Sequence, residues 1–234
     1  MRKEGQVRIP SGCAISAVIS REGRRMSGEK IVESMRPMHD RSNGLGGGFA
    51  AYGIYPEYRD FYAFHIFFDT RDTRKTCEAL LKEGFEIVKA EHIHIRQIPE
   101  ITDVPLIWRY FLTPLRSVLS RLQLDEAEYV ARTVTRINVE LHGAYVFSSG
   151  KNMGAFKAVG YPEDVGRFYR LEEYAAYSWT ALRPTPPAGG AARIPSGCWT
   201  GRWSTTAKYP PMTRTAVVWR CSAIAVRFRR IRRL

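Results

Sequence analysis

Strand-forming runs arrive in this chain in pairs, with amphipathic helices between the pairs, and that order narrows the folds open to it. FAAYGIY (49–55) and DFYAFHIFFD (60–69) are neighbouring runs rich in aromatic residues, which suit a pleated, half-buried surface. Their closeness predicts a hairpin or an adjacent pairing. AYVFSSG (144–150) and MGAFKAVG (153–160) form a second pair around a Lys151-Asn152 turn. Antiparallel sheet covered by helices, an α+β arrangement, accommodates this order better than a doubly wound parallel sheet.

The helices are read from their periodicity. TRKTCEALLKEGFEIV (73–88) is amphipathic, with Thr70 or Asp72 as N-cap and Gly84 near its C-terminal end. LDEAEYVARTVTRINVELHG (124–143) carries Tyr129, Val130, Val134, Ile137 and Leu141 on one stripe and ends at Gly143. GEKIVESMRPMHD (28–40) has helical spacing at Ile31, Val32, Met35 and Met38. AISAVIS (14–20) reads as a short strand before a turn at Arg21-Glu22-Gly23, and HIHIRQI (92–98) alternates as a strand does.

Charge separates the chain into two regions. Residues 1–181 hold 25 Lys and Arg against 23 Asp and Glu, so this body is nearly neutral at +2. The last 53 residues hold 11 basic residues, ten of them arginine, and no acid, so they carry most of the overall +13. No run of about 18 apolar residues suggests a membrane helix, and the basic N-terminus lacks the apolar segment of a secretory signal. Four cysteines without metal-ligand spacing, too few for a disulfide scaffold, point to a reducing cytoplasm.

Several motifs have an ordinary structural explanation. SNGLGGG (42–48) lacks the Lys-Ser/Thr of a phosphate loop and runs into a strand, so it reads as a tight backbone loop near a site. His92 and His94 share a strand face without an acidic or cysteine partner at ligand spacing; they read as solvent-facing, and no metal or other cofactor is expected. Cys77 sits mid-helix as a small core residue. Cys13 is different, because it directly precedes the first strand in IPSGCAIS (9–16).

HDRSNGLGGGFAAYGIYPEYRDFYAFH (39–65) resembles the class II glutamine amidotransferases, in particular the domain related to the amidotransferase part of glutamate synthase. The resemblance extends through IPSGCAIS, PLIWRYF (105–111), INVELHGAYVFSSGKNMGAFKAVGYPEDVGRFYRLEEY (137–174) and YSWTA (177–181). It implies an αββα N-terminal-nucleophile hydrolase sandwich, two stacked antiparallel sheets between helical layers, here incomplete on its C-terminal side. It also implies that Cys13 is the nucleophile and that its free α-amino group is the general base. The substrate would be glutamine, released as glutamate and ammonia by way of a glutamyl thioester, with a synthase subunit as possible ammonia acceptor. Residues 1–12 would then be a leader removed before Cys13, and residues 13–181 the amidotransferase domain. Arg41, in the loop near the glutamine site, and Arg183 would assist substrate binding.

The resemblance stops after Ala181. The family continues with a His-Gly-Arg-Phe-Pro-Thr-Asn type segment, of which Arg183-Pro184-Thr185 is a remnant, and later with His-Asn-Gly-Glu, whose Asn and Gly form the oxyanion hole. Residues 182–234 read instead as a translation in a shifted frame. If each new codon takes the third base of one residue and the first two of the next, Ser204-Thr205-Thr206-Ala207-Lys208 can encode His-Asn-Gly-Glu. In that frame Lys208–Thr213 permits Ile-Ser-Ser-Tyr-Asp, and Arg193–Ser204 permits His-Pro-Phe-Gly-Leu-Leu-Asp-Trp-Ser-Val-Val. Little glutaminase activity is therefore expected of the chain as it stands. The alternative function class is binding of nucleic acid or an anionic partner through VRFRRIRRL (226–234), which would be salt-dependent; the neutral body speaks against nucleic acid.

Overall fold

The computed structural model describes residues 14–41 and 47–183, with backbone only at Asp40, Arg41 and Arg183. Its ten strands are β1 (Ala14–Ile19), β2 (Met26–Ser27), β3 (Gly47–Tyr52), β4 (Tyr62–Phe68), β5 (Phe85–His92), β6 (Leu106–Pro114), β7 (Ala144–Lys151), β8 (Met153–Ala158), β9 (Ala175–Ala176) and β10 (Ser178–Arg183). The α-helices are α1 (Glu29–Met35), α2 (Arg71–Lys82), α3 (Arg116–Leu122), α4 (Glu126–Glu140) and α5 (Pro162–Phe168). Two four-stranded sheets run in the orders β1-β10-β3-β8 and β5-β6-β4-β7, and every described pairing within them is antiparallel. The fold is mixed α+β with antiparallel sheets.

The expected pairing of the first two aromatic runs is corrected. β3 lies between β10 and β8 in the first sheet, whereas β4 lies between β6 and β7 in the second. The chain leaves β3 at Gly53, whose φ of +80° is open to glycine. There the Gly53 N–H donates to the Asn152 carbonyl at 2.8 Å and the Tyr55 N–H to the Asn152 side-chain oxygen at 2.9 Å. Asn152, itself at φ +52°, turns β7 of the second sheet into β8 of the first. Each aromatic pair thus gives one strand to each sheet, and Asn152 holds the two crossings together.

Helix ends follow local chemistry. Thr70, not Asp72, caps α2 by accepting from Thr73 N–H, while Asp72 pairs with Lys75. The expected helix over 73–88 stops at Lys82; Gly84 breaks it and Phe85 begins β5. That strand ends at His92, so 93–98 is not the strand its alternation suggested. Asp125 caps α4, accepting from Glu128 N–H at 2.7 Å. The helix ends at Glu140, before Gly143, whose φ of +81° lies in the following turn. Pro37 marks the change from α1 to a 3-10 segment, Arg36–Arg41.

Helices α2 and α4 cover one face of the second sheet. Phe64, Ile66 and Phe68 meet Cys77, Leu81, Val134 and Ile137 there, all of them buried; a fully buried side chain of this size contributes about 1.5–3 kcal/mol. The opposite face, with Ala63, Phe67, Ile107 and Phe111, shares a core with Phe156, Trp179 and the α1–α5 side of the first sheet. No described element covers the other face of the first sheet. Ile15, Ile19, Tyr52 and Leu182 are 66, 52, 52 and 50 % exposed. Register places Ile15 beside Leu182 and Ile19 in the same row as Ser178 and Tyr52. No helix among the described residues is long and apolar enough to cross a membrane.

Candidate functional site

Cys13 lies outside the described residues, and β1 begins with the next residue, Ala14. Ile15 pairs with Leu182, Leu182 with Gly48, and Gly48 with Lys157, which makes one row across all four strands, and Ala14, which pairs with Arg183, is one residue further toward the same end. The strand ends Arg183, Gly47 and Ala158 thus lie at the same end of the sheet as Ala14. Arg183 closes β10 and Arg41 closes the 3-10 segment; their backbones are placed and their side chains are not described. The glycine loop is described only from Gly47 on, and residues 1–12 and 184–234 also lie outside.

Helix α5 follows β8 at this sheet end, and with the 3-10 segment it assembles a small polar cluster. The His39 ring stacks on Tyr161 with centroids 4.2 Å apart, and its Nδ1 pairs with Glu163 Oε1. Glu163 Oε2 is buried and has no hydrogen-bond partner. Gly47 fits against this group, since a Cβ there would stand 3.5 Å from Pro162 Cα and from Val165. Sequence inspection did not single out Tyr161 and Glu163, because the pairing spans residues 39 to 163 and depends on the sheet order.

A second polar group is buried between the sheets. His65 lies in the otherwise apolar strand YAFHIFF and is fully inaccessible to solvent. Its Nδ1 is 2.8 Å from the Ala155 carbonyl oxygen, which can only accept, so Nδ1 carries the proton and Nε2 accepts. The donor to Nε2 is the Tyr55 hydroxyl at 2.8 Å, and that oxygen accepts from Arg109 Nη1 at 3.1 Å. Arg109 Nε donates to Glu91 Oε1 at 2.8 Å, and Lys89 Nζ lies 2.8 Å from Glu91 Oε2. Strand register sets this row, with His65 opposite Arg109 and Arg109 opposite Glu91.

The electrostatics follow from that chain of donors. Burial pushes the His65 imidazole down to about 3, the nearby Arg109 charge adds to the effect, and the bond to Ala155 opposes it. Burial raises the Tyr55 phenol, against the pull of Arg109. Burial alone would raise the Glu91 carboxyl, but hydrogen bonds from Lys89 and Arg109 carry it below the ordinary range. His65 is therefore a neutral connector. Its signal in the sequence was a polar residue on a strand otherwise buried on both faces, which requires a partner.

The remaining candidates are placed simply. Cys77 is buried, and burial raises its thiol to about 12, as befits a core residue rather than a nucleophile. His92 ends β5 and His94 follows it, both exposed. Among the described residues no three His, Cys, Asp or Glu side chains are grouped to hold a metal.

No protein-family model matches the chain. A protein of Archaeoglobus fulgidus, described as uncharacterized, is 45% identical over 172 residues, which is 72% of this chain and 45% of that relative. The matched part thus spans less than half the length of the relative.

Proposed function

We propose that the chain is the N-terminal part of a class II glutamine amidotransferase domain, in which Cys13 attacks the side-chain amide of glutamine. The observation that carries this reading is the placement of β1. It starts one residue after Cys13, at a sheet end where Arg183, the Gly47-Gly48 backbone and the His39–Glu163 pair gather. A nucleophile there has open backbone beside it, and Arg183 is next to its strand. Removal of residues 1–12 would free the Cys13 amine to take the thiol proton. The thiolate would then displace ammonia and leave a glutamyl thioester, and water would release glutamate.

The open face of the first sheet supports the same reading. The first sheet has α1, α5 and the second sheet against one face and, on the other, half-exposed apolar side chains at Ile15, Ile19, Tyr52 and Leu182. In an αββα sandwich that face is covered. The occupant we assign is the polypeptide encoded after Arg183 in the shifted frame. That segment would leave from β10, inside the sheet, and the relative is more than twice as long as the part that matches this chain. It would also bring the Asn-Gly donors of the oxyanion hole, and loss of one such donor costs about 10²–10³ in rate.

The test compares this chain with the product of a gene whose frame is restored between Leu182 and Arg193, by glutamine-dependent ammonia release and intact mass. We expect little or no activity from the present chain. The restored protein should have a mass that starts at Cys13 and an activity abolished by Cys13→Ala. A well-folded restored protein that leaves glutamine intact, or that is indifferent to Cys13→Ala, sinks the proposal.

A further inference from the structure

The second sheet carries a separate cationic cavity on its helix-covered side. Trp108 and Arg109 are consecutive on β6 and point to opposite faces, so this cavity is separated from the His65 row by the thickness of the sheet. It has a volume of about 480 Å³ and is lined by Arg71, Arg74, His92, Leu106 and Trp108. β5 and β6 bring His92 opposite Trp108, with ring centroids 6.2 Å apart. Arg71 and Arg74 come from the first turn of α2.

Arg74 is held in place by Trp108 and by a long ion pair with Glu78, and its Nε makes no hydrogen bond. Its guanidinium carbon lies 3.9 Å from the Trp108 ring centroid, an arrangement that fixes the plane of the fork. Its Nε is buried with no hydrogen-bond partner, and the nearest carboxylate oxygen, Glu78 Oε1, is 3.7 Å away. That same oxygen accepts the Tyr110 hydroxyl at 2.8 Å, so Glu78 is already engaged. The other acid of this turn, Asp72, pairs with Lys75. Arg71 is exposed and has no ion pair among the described residues. The cavity thus joins the guanidinium of Arg71, without an ion pair among the described residues, and that of Arg74, whose carboxylate partner stands 3.7 Å away, to an imidazole and an apolar floor of Leu106 and Trp108.

We propose that this cavity binds a small organic oxyanion, with its phosphate or carboxylate between Arg71 and Arg74 and its apolar body on Leu106 and Trp108. The volume exceeds what a bare inorganic ion fills and lies within the usual range of small-molecule sites, about 300–1,000 Å³. Planar forks matched to oxyanions are the recognised use of paired arginines. The site is independent of Cys13 and of the frame beyond Arg183, so its failure would leave the amidotransferase proposal untouched.

Isothermal titration of the full chain with phenyl phosphate, benzoate and the neutral benzamide tests the idea. At least one anion should bind saturably with a Kd of about 1 mM or tighter, while benzamide should not. Preference for phenyl phosphate assigns a phosphate head, and preference for benzoate a carboxylate head. Arg71→Ala, at an exposed position, should weaken binding about tenfold. Arg74→Lys, which keeps the charge and loses the fork, should weaken it as well, with circular dichroism reporting an intact fold in both. The absence of saturable binding, equal binding of benzamide, or anion binding unchanged by Arg71→Ala and therefore due to the arginine-rich tail would each overturn the proposal.

Discussion

The Nδ1–H of His65 donates to the carbonyl oxygen of Ala155 at 2.8 Å, and the two residues belong to different sheets. The N–H of Ala155 also leaves its own sheet, donating to Ser148 Oγ at 3.0 Å. Among the described residues β8 is an edge strand, and an unpaired edge invites association with another chain. At Ala155 both backbone groups of that edge are taken by side chains of the second sheet. A buried histidine and a serine therefore cap the edge at Ala155 and tie the sheets together there.

This connector should make the fold acid-labile. His65 is protonated near 6.5 in the unfolded chain but only near 3 in the folded one. Between those values the unfolded state binds more protons, so stability is full above about pH 6.5 and falls as pH drops toward 3. The loss approaches about 1.4 kcal/mol per pH unit and a few kcal/mol in all. Urea denaturation at pH 7, 5.5 and 4.5 should show this decline, and His65→Gln should lose most of the slope. An equal slope in both proteins would assign the lability to other groups.

Tyr55→Phe isolates the next link. Removing the hydroxyl leaves His65 Nε2 buried without a donor and takes an acceptor from Arg109. An orphaned buried polar atom costs about 1–3 kcal/mol, so the denaturation midpoint at pH 7 should fall accordingly. Loss of well under 0.5 kcal/mol would mean that water replaces the hydroxyl.

Much of the architecture was readable because periodicity is local. The α4 stripe and the turn at Lys151-Asn152 are set by residues close in sequence and lie where their patterns place them, and the Cys77 helix does so as far as Lys82. Strand partners are not local. FAAYGIY and DFYAFHIFFD look like a hairpin, and only Asn152, about a hundred residues on, decides that they part into two sheets. His65 and Arg109 were hidden for the same reason. Each is one polar residue in an apolar strand, and its partner is known only once the register is known.

Gly154 reports how closely the sheets approach. A Cβ at this position would stand 2.8 Å from the Tyr55 hydroxyl and 2.9 Å from His65 Cε1, inside the buried chain of hydrogen bonds. Neither neighbour is free to yield, since each is hydrogen-bonded. Gly154→Ala should therefore destabilise by about 1–3 kcal/mol, measured by thermal or urea unfolding. A larger residue such as Val should abolish the cooperative transition. A neutral Gly154→Ala would show that the sheets stand further apart in solution.

The open face of the first sheet gives the last prediction. Ile15 and Ile19 are more than half exposed on the edge strand β1, beside Leu182 and in the row of Tyr52. An apolar face along an edge that no described strand pairs favours association between copies. The double variant Ile15→Thr and Ile19→Lys removes apolar surface without disturbing Ala14 or Val18, which face the core side. In the chain as it stands, the variant should stay within about 0.5 kcal/mol of the parent, as surface substitutions do, and should sediment with less self-association. In the frame-restored protein the same pair should instead destabilise by several kcal/mol, because covered apolar side chains would be exchanged for polar ones. Equal, small effects in both proteins would mean that the restored segment does not cover this face, and would remove the structural support for a completed sandwich.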